Sequence, residues 1–326
     1  MRQFNSLSHL AAVAATLLIA PALADAQAYP TKAIRLVVPF PAGGGNDIVG
    51  RVLAQRLTDQ VKQQVVVDNR GGAAGIIGAE IVARALPDGY TLLLGGIASL
   101  SINPGLQAKL SYDPLKDFSA VSLVGTGANV LATHPTLRVR SVKELVDLAK
   151  AKPGELYFAS AGIGSSNHLA GELFRNMSGA NIVHVPYKGS GPAMTDLLAG
   201  QVSISFAAIS GVLQFVKDGR LRGLAVTSAR RTAIIPEMPT VAESALPGFE
   251  VVNWYAVVGP VAMPPITVNR LNAEILQALA APEVRKRFLE IGVDPGSSTP
   301  AELTTYNRNE LEKWIKVIRL AGVKPE

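Results

Sequence analysis

Short runs of apolar residues, rich in Val, Ile and Leu, recur along the chain and are separated by stretches with helical periodicity. The runs are IRLVVPF, QVVVDN, YTLLLGG, AVSLVGT, LYFASA, NIVHVPY, SISFAAI, LRGLAVTS and WYAVVGP. Their hydrophobicity is continuous rather than alternating, which is typical of strands buried on both faces of a sheet. Strands of this kind that alternate with helices predict parallel sheets, so the fold class is α/β.

The helical stretches carry start and stop signals. After the first strand, one face collects the apolar side chains Ile48, Val49, Val52, Leu53 and Leu57. Ser141 is followed three residues later by Glu144, the spacing of a capping box. The tail predicts two amphipathic helices, TVNRLNAEILQALAAPEVRKRFLEIG, which we expect to break at Pro282, and TPAELTTYNRNELEKWIKVIRLAG.

The first 28 residues have the pattern of a secretory signal peptide. A start with one Arg and one His leads into an apolar run that Pro21 interrupts, which is too short to span a bilayer. Overlapping small-x-small sites then end at Ala24, Ala26 and Ala28. We therefore expect export to the periplasm with cleavage, and a mature chain that starts at Asp25, Gln27 or Tyr29.

Length and composition exclude several classes of protein. The mature chain of about 300 residues exceeds the size at which one core stops growing, so two domains are expected. There is no Cys, which excludes disulfides, thiolate chemistry and Cys metal sites. The net charge is +6, with the basic residues scattered, so we expect no nucleic-acid partner. Few His and no H-x-x-x-H spacing indicate no metal site, and no cofactor is expected.

Two segments combine strand character with small or turn residues and are candidate crossings between domains. They are LVGTGANVLATHP, residues 123–135, and LPGFEVVNWYAVVGP, residues 246–260. A chain that leaves one lobe in the first segment and returns in the second would build a discontinuous lobe. Lobe 1 would then comprise residues 29–128 and 252–326, and lobe 2 residues 129–251.

The segment RLVVPFPAGGGNDIVGRVLAQRL predicts a strand, a glycine-rich loop and a helix. It fails as a dinucleotide fingerprint, because the third glycine position is Ile48, and as a P-loop, because Arg51 and Val52 replace Lys and Ser/Thr. Amides at a helix start still suit a carboxylate as well as a phosphate. A tight turn is the alternative, but three glycines exceed what a turn requires, so ligand contact is favoured.

The segment ELYFASAGIGSSNHLAGELFRNM repeats this arrangement. Ser166 could suggest a hydrolase nucleophile elbow, but G-x-S-x-G needs glycine where His168 stands. The hydroxyls and amides of this loop suit an acid group instead. His168 either contacts ligand or packs and caps the helix, and the sequence leaves both open. Neither glycine loop contains Arg, so amides, hydroxyls and water would bind the acid.

Together these runs resemble the Bug family, the periplasmic solute-binding receptors of tripartite tricarboxylate transporters. Other matching runs are INPGL, YDPLKDFSAVSLV, VPYKGSGPAMTDLLAGQV and TSARRTAIIPEMPTVAESALPGFE. The resemblance implies a two-lobed periplasmic-binding-protein (Venus flytrap) fold, each lobe a mostly parallel sheet flanked by helices. It also implies a small organic acid, a di- or tricarboxylate or an aromatic or aliphatic carboxylate, bound between the lobes.

The resemblance implies a site built from the two glycine loops. Asp47 matches an acidic position of the first motif and is expected to organise the loop and helix start. The ligand-binding residues implied or inferred are Phe40, Pro41, Ala42, Gly43, Gly44, Asn46, Asp47, Ser99, Ser160, Gly162, Ser165, Ser166, His168 and Ala207. Two departures from the family pattern, Asn46 and the pair Ala207 and Ala208, indicate a less polar acid.

The function expected is therefore capture of a carboxylate by a monomeric, non-enzymatic receptor that delivers it to two integral membrane subunits. Two other classes remain: an exported sensor that serves a signalling partner, and a secreted hydrolase. The missing nucleophile–base pair disfavours the hydrolase.

Overall fold

The computed structural model describes residues 29–323, so the predicted signal peptide, residues 1–28, lies outside the described residues. The strands are β1 Ile34–Val38, β2 Val65–Asn69, β3 Thr91–Gly96, β4 Phe118–Thr133, β5 Leu156–Ser160, β6 Ile182–Pro186, β7 Ile204–Ala208, β8 Arg222–Val226, β9 Val252–Pro260 and β10 Asp294–Pro295. Each of the nine predicted apolar runs falls on one of the strands β1 to β9, so all nine are confirmed as strands, although β4 and β9 extend beyond their runs. The two-residue β10 is too short to leave a sequence signal.

The helices follow the strands as expected. They are α1 Gly45–Val61, α2 Ile76–Ala83, α3 Asn103–Leu106, α4 Val142–Ala151, α5 Ser166–Ser178, α6 Ser190–Leu198, α7 Ile209–Lys217, α8 Val241–Ser244, α9 Pro265–Ala280, α10 Pro282–Glu290 and α11 Pro300–Leu320. A 3-10 turn, Ala73–Gly75, and a π-helical turn, Ala98–Ile102, complete them. In residues 29–323 no helix combines the length and the apolar character needed to cross a bilayer.

Two sequence signals at helix ends can be compared with the structure. The break before Pro282 is confirmed, because Ala281 is extended at φ −65° and ψ 129°, the conformation that a following proline favours. At α4 the Ser141 hydroxyl accepts the Glu144 N–H at 3.1 Å. The Glu144 carboxylate accepts the N–H of Arg140 rather than that of Ser141, so only half of the expected box is formed.

The strands form two ladders that share β4. The first runs β2-β1-β3-β9-β4 and the second β4-β7-β5-β6, with β8 and β10 also paired to β4. Along β4, Ala128 is opposite Val252 of β9, whereas the next residue, Asn129, is opposite Ala208 of β7. The sixteen-residue β4 therefore passes from one lobe into the other.

The sheet is mixed rather than parallel throughout. Parallel pairing links β1 to β2 and β3, and β5 to β6 and β7. The strands that run between the lobes are antiparallel to their neighbours, since β4 leads out of the first lobe and β9 leads back. The mostly parallel sheet that was expected is thus found in the outer three strands of each lobe. Parallel strands need helical crossovers, and a direct return beside β4 can only be antiparallel.

The core is continuous from one lobe to the other. One cluster joins Leu93 and Trp314 in the first lobe to Phe158 and Phe206 in the second, and all four are fully buried. A second cluster packs α1, α9 and α10 against the first ladder, with Leu36 and Phe288 at its centre. Each such side chain contributes about 1.5–3 kcal/mol by leaving water. These cores fix the strands whose carboxyl ends face the cleft, where α/β sheets place their ligands.

Candidate functional site

The loop between β1 and α1, residues 40–46 and hereafter the first loop, presents the start of a seventeen-residue helix. Gly44 is its N-cap and offers no side chain to the first-turn N–H groups. Gly43 has φ +85°, which requires glycine, but a Cβ on Gly43 or Gly44 would meet no protein atom closer than 3.7 Å. The turn alone therefore accounts for Gly43, and Gly44 leaves open space above the amides.

Asp47 organises this loop from below. Its Oδ2 accepts the Gly43 N–H at 2.8 Å and Arg51 Nε at 3.0 Å, and its Oδ1 accepts Asn69 Nδ2 at 3.0 Å. Burial would raise the pKa of the Asp47 carboxyl, but the bonds from Arg51, Gly43 and Asn69 outweigh burial and hold the pKa below its usual value. Asp47 is 3% exposed, so it supports the loop and does not reach the cleft.

The loop between β5 and α5, residues 160–166 and hereafter the second loop, presents a second helix start. Ser165 is the N-cap of the thirteen-residue α5: its hydroxyl accepts the His168 N–H at 3.3 Å and donates to the Gly162 carbonyl at 2.7 Å. Ser166 follows at the first helical position, and no hydrogen bond of its hydroxyl is formed within residues 29–323. The Ser165 hydroxyl is thus used within the second loop itself, whereas the Ser166 hydroxyl is available to a ligand.

The two loops face each other across one cavity of about 390 Å³, hereafter the first cavity. A Cβ on Gly164 of the second loop would lie 2.5 Å from Leu106 Cδ1 of α3, so the lobes are in contact at this edge. Polar side chains on the first cavity are Asn46, Asn103, Gln107, Ser165, Ser166 and Asn253. Its apolar walls are Phe40, Ala74, Ile97, Ile102, Leu106 and Ile163.

Strand β9 supplies the floor of the first cavity. Trp254 is buried, and its indole Nε1 has no hydrogen-bond partner within the described residues. Tyr255 lies beside it, with its hydroxyl oxygen 3.4 Å from the position a Cβ on Gly45 would take. Burial raises the pKa of Tyr255 to about 12, so its hydroxyl stays protonated at neutral pH and can donate.

A second cavity, also of about 390 Å³, adjoins the first and shares Ser166 and Asn253 with it. It lies over the carboxyl ends of β5 and β7, beside the starts of α5, α6 and α7. Its hydroxyls come from Ser160, Ser166, Ser190, Ser205 and Ser210. Ala207 and Ala208 contribute only methyl groups there. No charged side chain lines either cavity within residues 29–323, so helix dipoles, amides and hydroxyls dominate the field.

The predicted ligand-binding residues fall into three groups. Six of them line the cavities: Phe40, Asn46, Ser165, Ser166, Ser160 and Ala207. The loop residues Pro41, Ala42, Gly43 and Gly44 are exposed outside them, and Gly162 is partly buried at φ +129°. The remaining three, Asp47, Ser99 and His168, are buried and line neither cavity.

Ser99 and His168 are predicted site residues whose side chains turn into the core rather than into a cavity. The π-helical turn rotates Ser99 into the core, where its hydroxyl lies 3.3 Å from the Gly96 amide nitrogen and its carbonyl accepts the Tyr112 hydroxyl at 2.5 Å. His168 is 4% exposed, and its Nδ1 accepts the Gly164 N–H at 3.1 Å. Of the two interpretations of His168 that the sequence left open, the structure supports packing within the helix start and loop.

The sequence reasoning missed the floor of the site. Asn253, Trp254 and Tyr255 line the first cavity. A signal existed in VVNWYAVVGP, where the polar Asn253 interrupts an otherwise apolar strand. No group of three or more His, Asp or Glu side chains in the described part of the chain is arranged to hold a metal ion.

Two α/β lobes joined by β4 and β9, with helix starts facing each other across a central cleft, define the class of two-lobed solute-binding proteins. Residues 49–323 match the model of the tripartite tricarboxylate transporter family receptor, and the chain belongs to that family. Protein BugT of Bordetella pertussis is 40% identical over 306 residues, covering 94% of this chain and 93% of BugT.

Solved structures agree with this assignment. The R. palustris protein Rpa4515 with adipate is 35% identical with a TM-score of 0.78, covering 91% of this chain and 100% of that one. The periplasmic binding protein BugD is 33% identical with a TM-score of 0.74, over 91% and 100% of the two chains. MatC of Rhodopseudomonas palustris with bound malate is 29% identical with a TM-score of 0.73, over 89% and 100%.

Proposed function

We propose that this receptor captures a small organic carboxylate in the first cavity, between the starts of α1 and α5. The observation that supports the proposal is the meeting of two helix N-termini, one from each lobe, at a cavity without charged side chains. Unpaired N–H groups and the helix dipole make each start favourable for an anion, by about 0.3–1 kcal/mol and more where partly buried.

Uncharged hydrogen-bond donors complete the proposed carboxylate site. The Asn46 amide, the Ser166 hydroxyl and the Tyr255 hydroxyl line the cavity, and none of them is used in a hydrogen bond within the described residues. A hydrogen bond to a charged group contributes about 1.5–3 kcal/mol. Several such bonds can replace the water around a carboxylate without a fixed counter-charge.

We propose that the remainder of the ligand is largely apolar, aliphatic or aromatic. The side chains of Ile97, Ile102, Leu106 and Ile163 form one wall of the first cavity. Ala207 adds a methyl group in the second cavity and offers no hydrogen bond there. The solved relatives hold adipate and malate, both small organic carboxylates, and the apolar remainder proposed for this ligand rests on the cavity wall alone.

Ser166 fits a binding role better than a catalytic one. A serine nucleophile needs a base within hydrogen-bond reach. The imidazole of His168, two residues further along α5, uses Nδ1 to accept the Gly164 N–H and is buried. Ser166 is therefore proposed as a ligand donor, and the protein as a receptor without enzymatic activity.

We propose that the two lobes divide as expected from the sequence, with lobe 1 formed by residues 29–128 and 252–326 and lobe 2 by residues 129–251. The supporting observation is the change of partner along β4 between Ala128 and Asn129. A ligand held by both lobes stabilises the closed arrangement, since it contacts more groups there. The receptor would be a monomer that a cleaved signal peptide directs to the periplasm. There it would deliver its ligand to two integral membrane subunits.

A thermal-shift panel tests the proposal. The purified protein is heated with aliphatic and aromatic mono-, di- and tricarboxylates, and with uncharged alcohols of the same carbon skeletons as controls. A ligand at ~100 times its dissociation constant adds about 2.7 kcal/mol of stability, which raises Tm by about 5–10 °C for a chain of this size. Stabilisation by alcohols and not by acids would contradict the proposal.

A further inference from the structure

Two histidine side chains lie together beneath the second loop, outside both cavities. The ring of His168, on α5, stacks on the ring of His184, on β6, with centroids 4.0 Å apart and planes 19° apart. Phe158 of β5 also stacks on the ring of His184, with centroids 4.9 Å apart. The proposed binding role uses neither imidazole, yet both are packed against the loop that presents α5.

Each imidazole makes a hydrogen bond to the second loop. His168 Nδ1 accepts the Gly164 N–H at 3.1 Å. His184 Nε2 lies 2.6 Å from Ser160 Oγ, and that same oxygen accepts the Gly162 N–H at 3.1 Å. The Gly164 N–H is thereby directed at a buried side chain outside both cavities, and the Gly162 N–H is held by the hydroxyl that His184 contacts.

These bonds set the direction of the helix start. Gly162 has φ +129° and Gly164 has φ +76°, conformations open to glycine, and within them each N–H group has an acceptor. Ser165 then caps α5, and the N–H groups of its first turn are left to face the first cavity. If His168 or Ser160 no longer accepted its hydrogen bond, the backbone N–H of Gly164 or Gly162 would turn toward water. The N-cap residue Ser165 would then turn with the loop.

Both rings have the protonation state that this role requires. Burial, the neighbouring His184 and Arg175 lower the pKa of His168 to about 3, and burial and Arg175 lower the pKa of His184 to about 4. Because Nδ1 of His168 accepts a bond, its hydrogen is on Nε2, 3.8 Å from Glu172 Oε1. Protonated His168 would instead direct an N–H at the N–H of Gly164.

The charged groups around the pair are few. Glu172 and Arg175, on the same helix, form an ion pair at 2.9 Å, and burial raises the pKa of Glu172 while Arg175 lowers it. The strand β7 packs on α5 with Phe206 and no ionisable side chain. The helix α11 also packs on α5, and the charged group that lowers the pKa of both imidazoles is Arg175.

We propose that His168 and His184 are positioning residues of the carboxylate site: they hold the second loop in the shape that presents the start of α5 to the ligand. The inference rests on the proposed function, since it concerns the same site.

The test compares two substitutions of His168 that separate hydrogen bonding from packing. In His168→Asn the amide oxygen takes the position of Nδ1 and keeps an acceptor for Gly164, although the smaller side chain packs less well. In His168→Leu the buried volume is kept and the acceptor is lost. We expect His168→Asn to melt at a lower temperature than His168→Leu. We also expect His168→Asn to bind the best acid of the panel about tenfold more tightly than His168→Leu does, because a factor of ten in affinity corresponds to the free energy of one buried hydrogen bond.

Hydrogen exchange gives the second readout. The Gly164 amide should be protected in the wild-type protein and in His168→Asn, and exchange at least about tenfold faster in His168→Leu. His134 lies on an exposed loop and bonds Thr136, so His134→Leu is the matched control and should leave affinity and Gly164 exchange unchanged. His184→Gln and His184→Leu form the corresponding pair for Ser160.

The outcomes separate the two proposals. If no carboxylate binds the wild-type protein, the proposed function fails. If the wild-type protein binds an acid and His168→Leu binds it equally well, or if affinity follows Tm across both variants, the imidazoles only fill the core and the positioning role is wrong.

Discussion

The Nδ1 atom of His168 accepts a hydrogen bond from the backbone N–H of Gly164, 3.1 Å away, and so joins the buried core of α5 to the loop at the mouth of the cleft. The geometry links a titratable group in the core to the shape of the binding surface. It also makes the stability of the protein depend on pH in a defined direction.

Stability should fall as the medium becomes acidic. Burial lowers the pKa of His168 from 6.5 to about 3 and that of His184 from 6.5 to about 4. The unfolded chain therefore binds more protons below about pH 6.5, so this part of the stability is complete above pH 6.5 and is lost as the pH falls toward 4. Each imidazole contributes up to about 1.4 kcal/mol per pH unit in that window.

Urea unfolding of the wild-type protein and of His168→Asn between pH 7.5 and 5 measures this effect. The raised pKa of Glu172 acts in the opposite sense in both proteins, so their difference isolates the imidazole. The variant should show the shallower loss of stability. Parallel curves would mean that His168 titrates normally in the folded protein.

Two adjacent serines should respond differently to replacement by alanine. Ser165→Ala removes the N-cap of α5 and should cost about 1 kcal/mol of stability, together with ligand affinity. Ser166→Ala removes a hydroxyl that no group in the described residues uses, so it should weaken binding by about 1.5–3 kcal/mol and leave the ligand-free melt unchanged. A thermal melt and a calorimetric titration of each variant check both. If Ser166→Ala lost stability and Ser165→Ala did not, the roles of helix cap and ligand donor would have to be exchanged between the two serines.

Tyr255→Phe tests the floor of the cavity. The substitution keeps the ring and removes only the hydroxyl proposed to donate to the carboxylate, so affinity should drop about tenfold, the loss of a hydrogen bond of at least 1.5 kcal/mol to a charged group. The ligand-free protein should melt at or above the wild-type temperature. Tyr157→Phe, on an exposed strand position, is the matched control. Unchanged affinity in Tyr255→Phe would place the carboxylate elsewhere in the cleft.

The discontinuous lobe should fold without its partner lobe. Ala128 and Val252 are neighbours across the β4–β9 ladder, so a short linker can join residues 29–128 to 252–326. This fragment retains α9 and α10, which cover Leu36 and its neighbours in the first ladder. We expect a cooperative melt by circular dichroism. Residues 29–130 alone lack those helices and should be molten, and a cooperative melt of that shorter fragment would favour sequential domains.

The sequence predicted the elements better than it predicted the site. The strands β1 to β9 could be predicted from the sequence because buried strands need continuous apolar runs. The helix break at Pro282 could be predicted because a proline restricts the backbone of the residue before it. The floor of the cavity was not legible, because Tyr255 meets Gly96 only through the antiparallel register of β3 and β9. Register between distant segments leaves no local signal.

Ser99 and His168 are the opposite case, because the sequence selected them for the site and their side chains lie in the core. In the sequence each lies in a segment rich in Gly, Ser and Asn, a composition typical of binding loops, and that composition selected them. Their side chains face inward because a π-helical turn rotates Ser99 and the first turn of α5 places His168 over β6. Which side of a loop faces the cleft depends on the packing of the helix behind it.

The central claim is that two helix starts hold a carboxylate by its charge, and calorimetric titration of one acid and its primary amide tests it most directly. The amide has nearly the same shape, but it lacks the negative charge and would place N–H groups against the N–H donors of the two helix starts. We expect the acid to bind at least about 100-fold more tightly, the loss of roughly 3 kcal/mol across the α1 and α5 starts. Equal affinity for acid and amide would contradict the account.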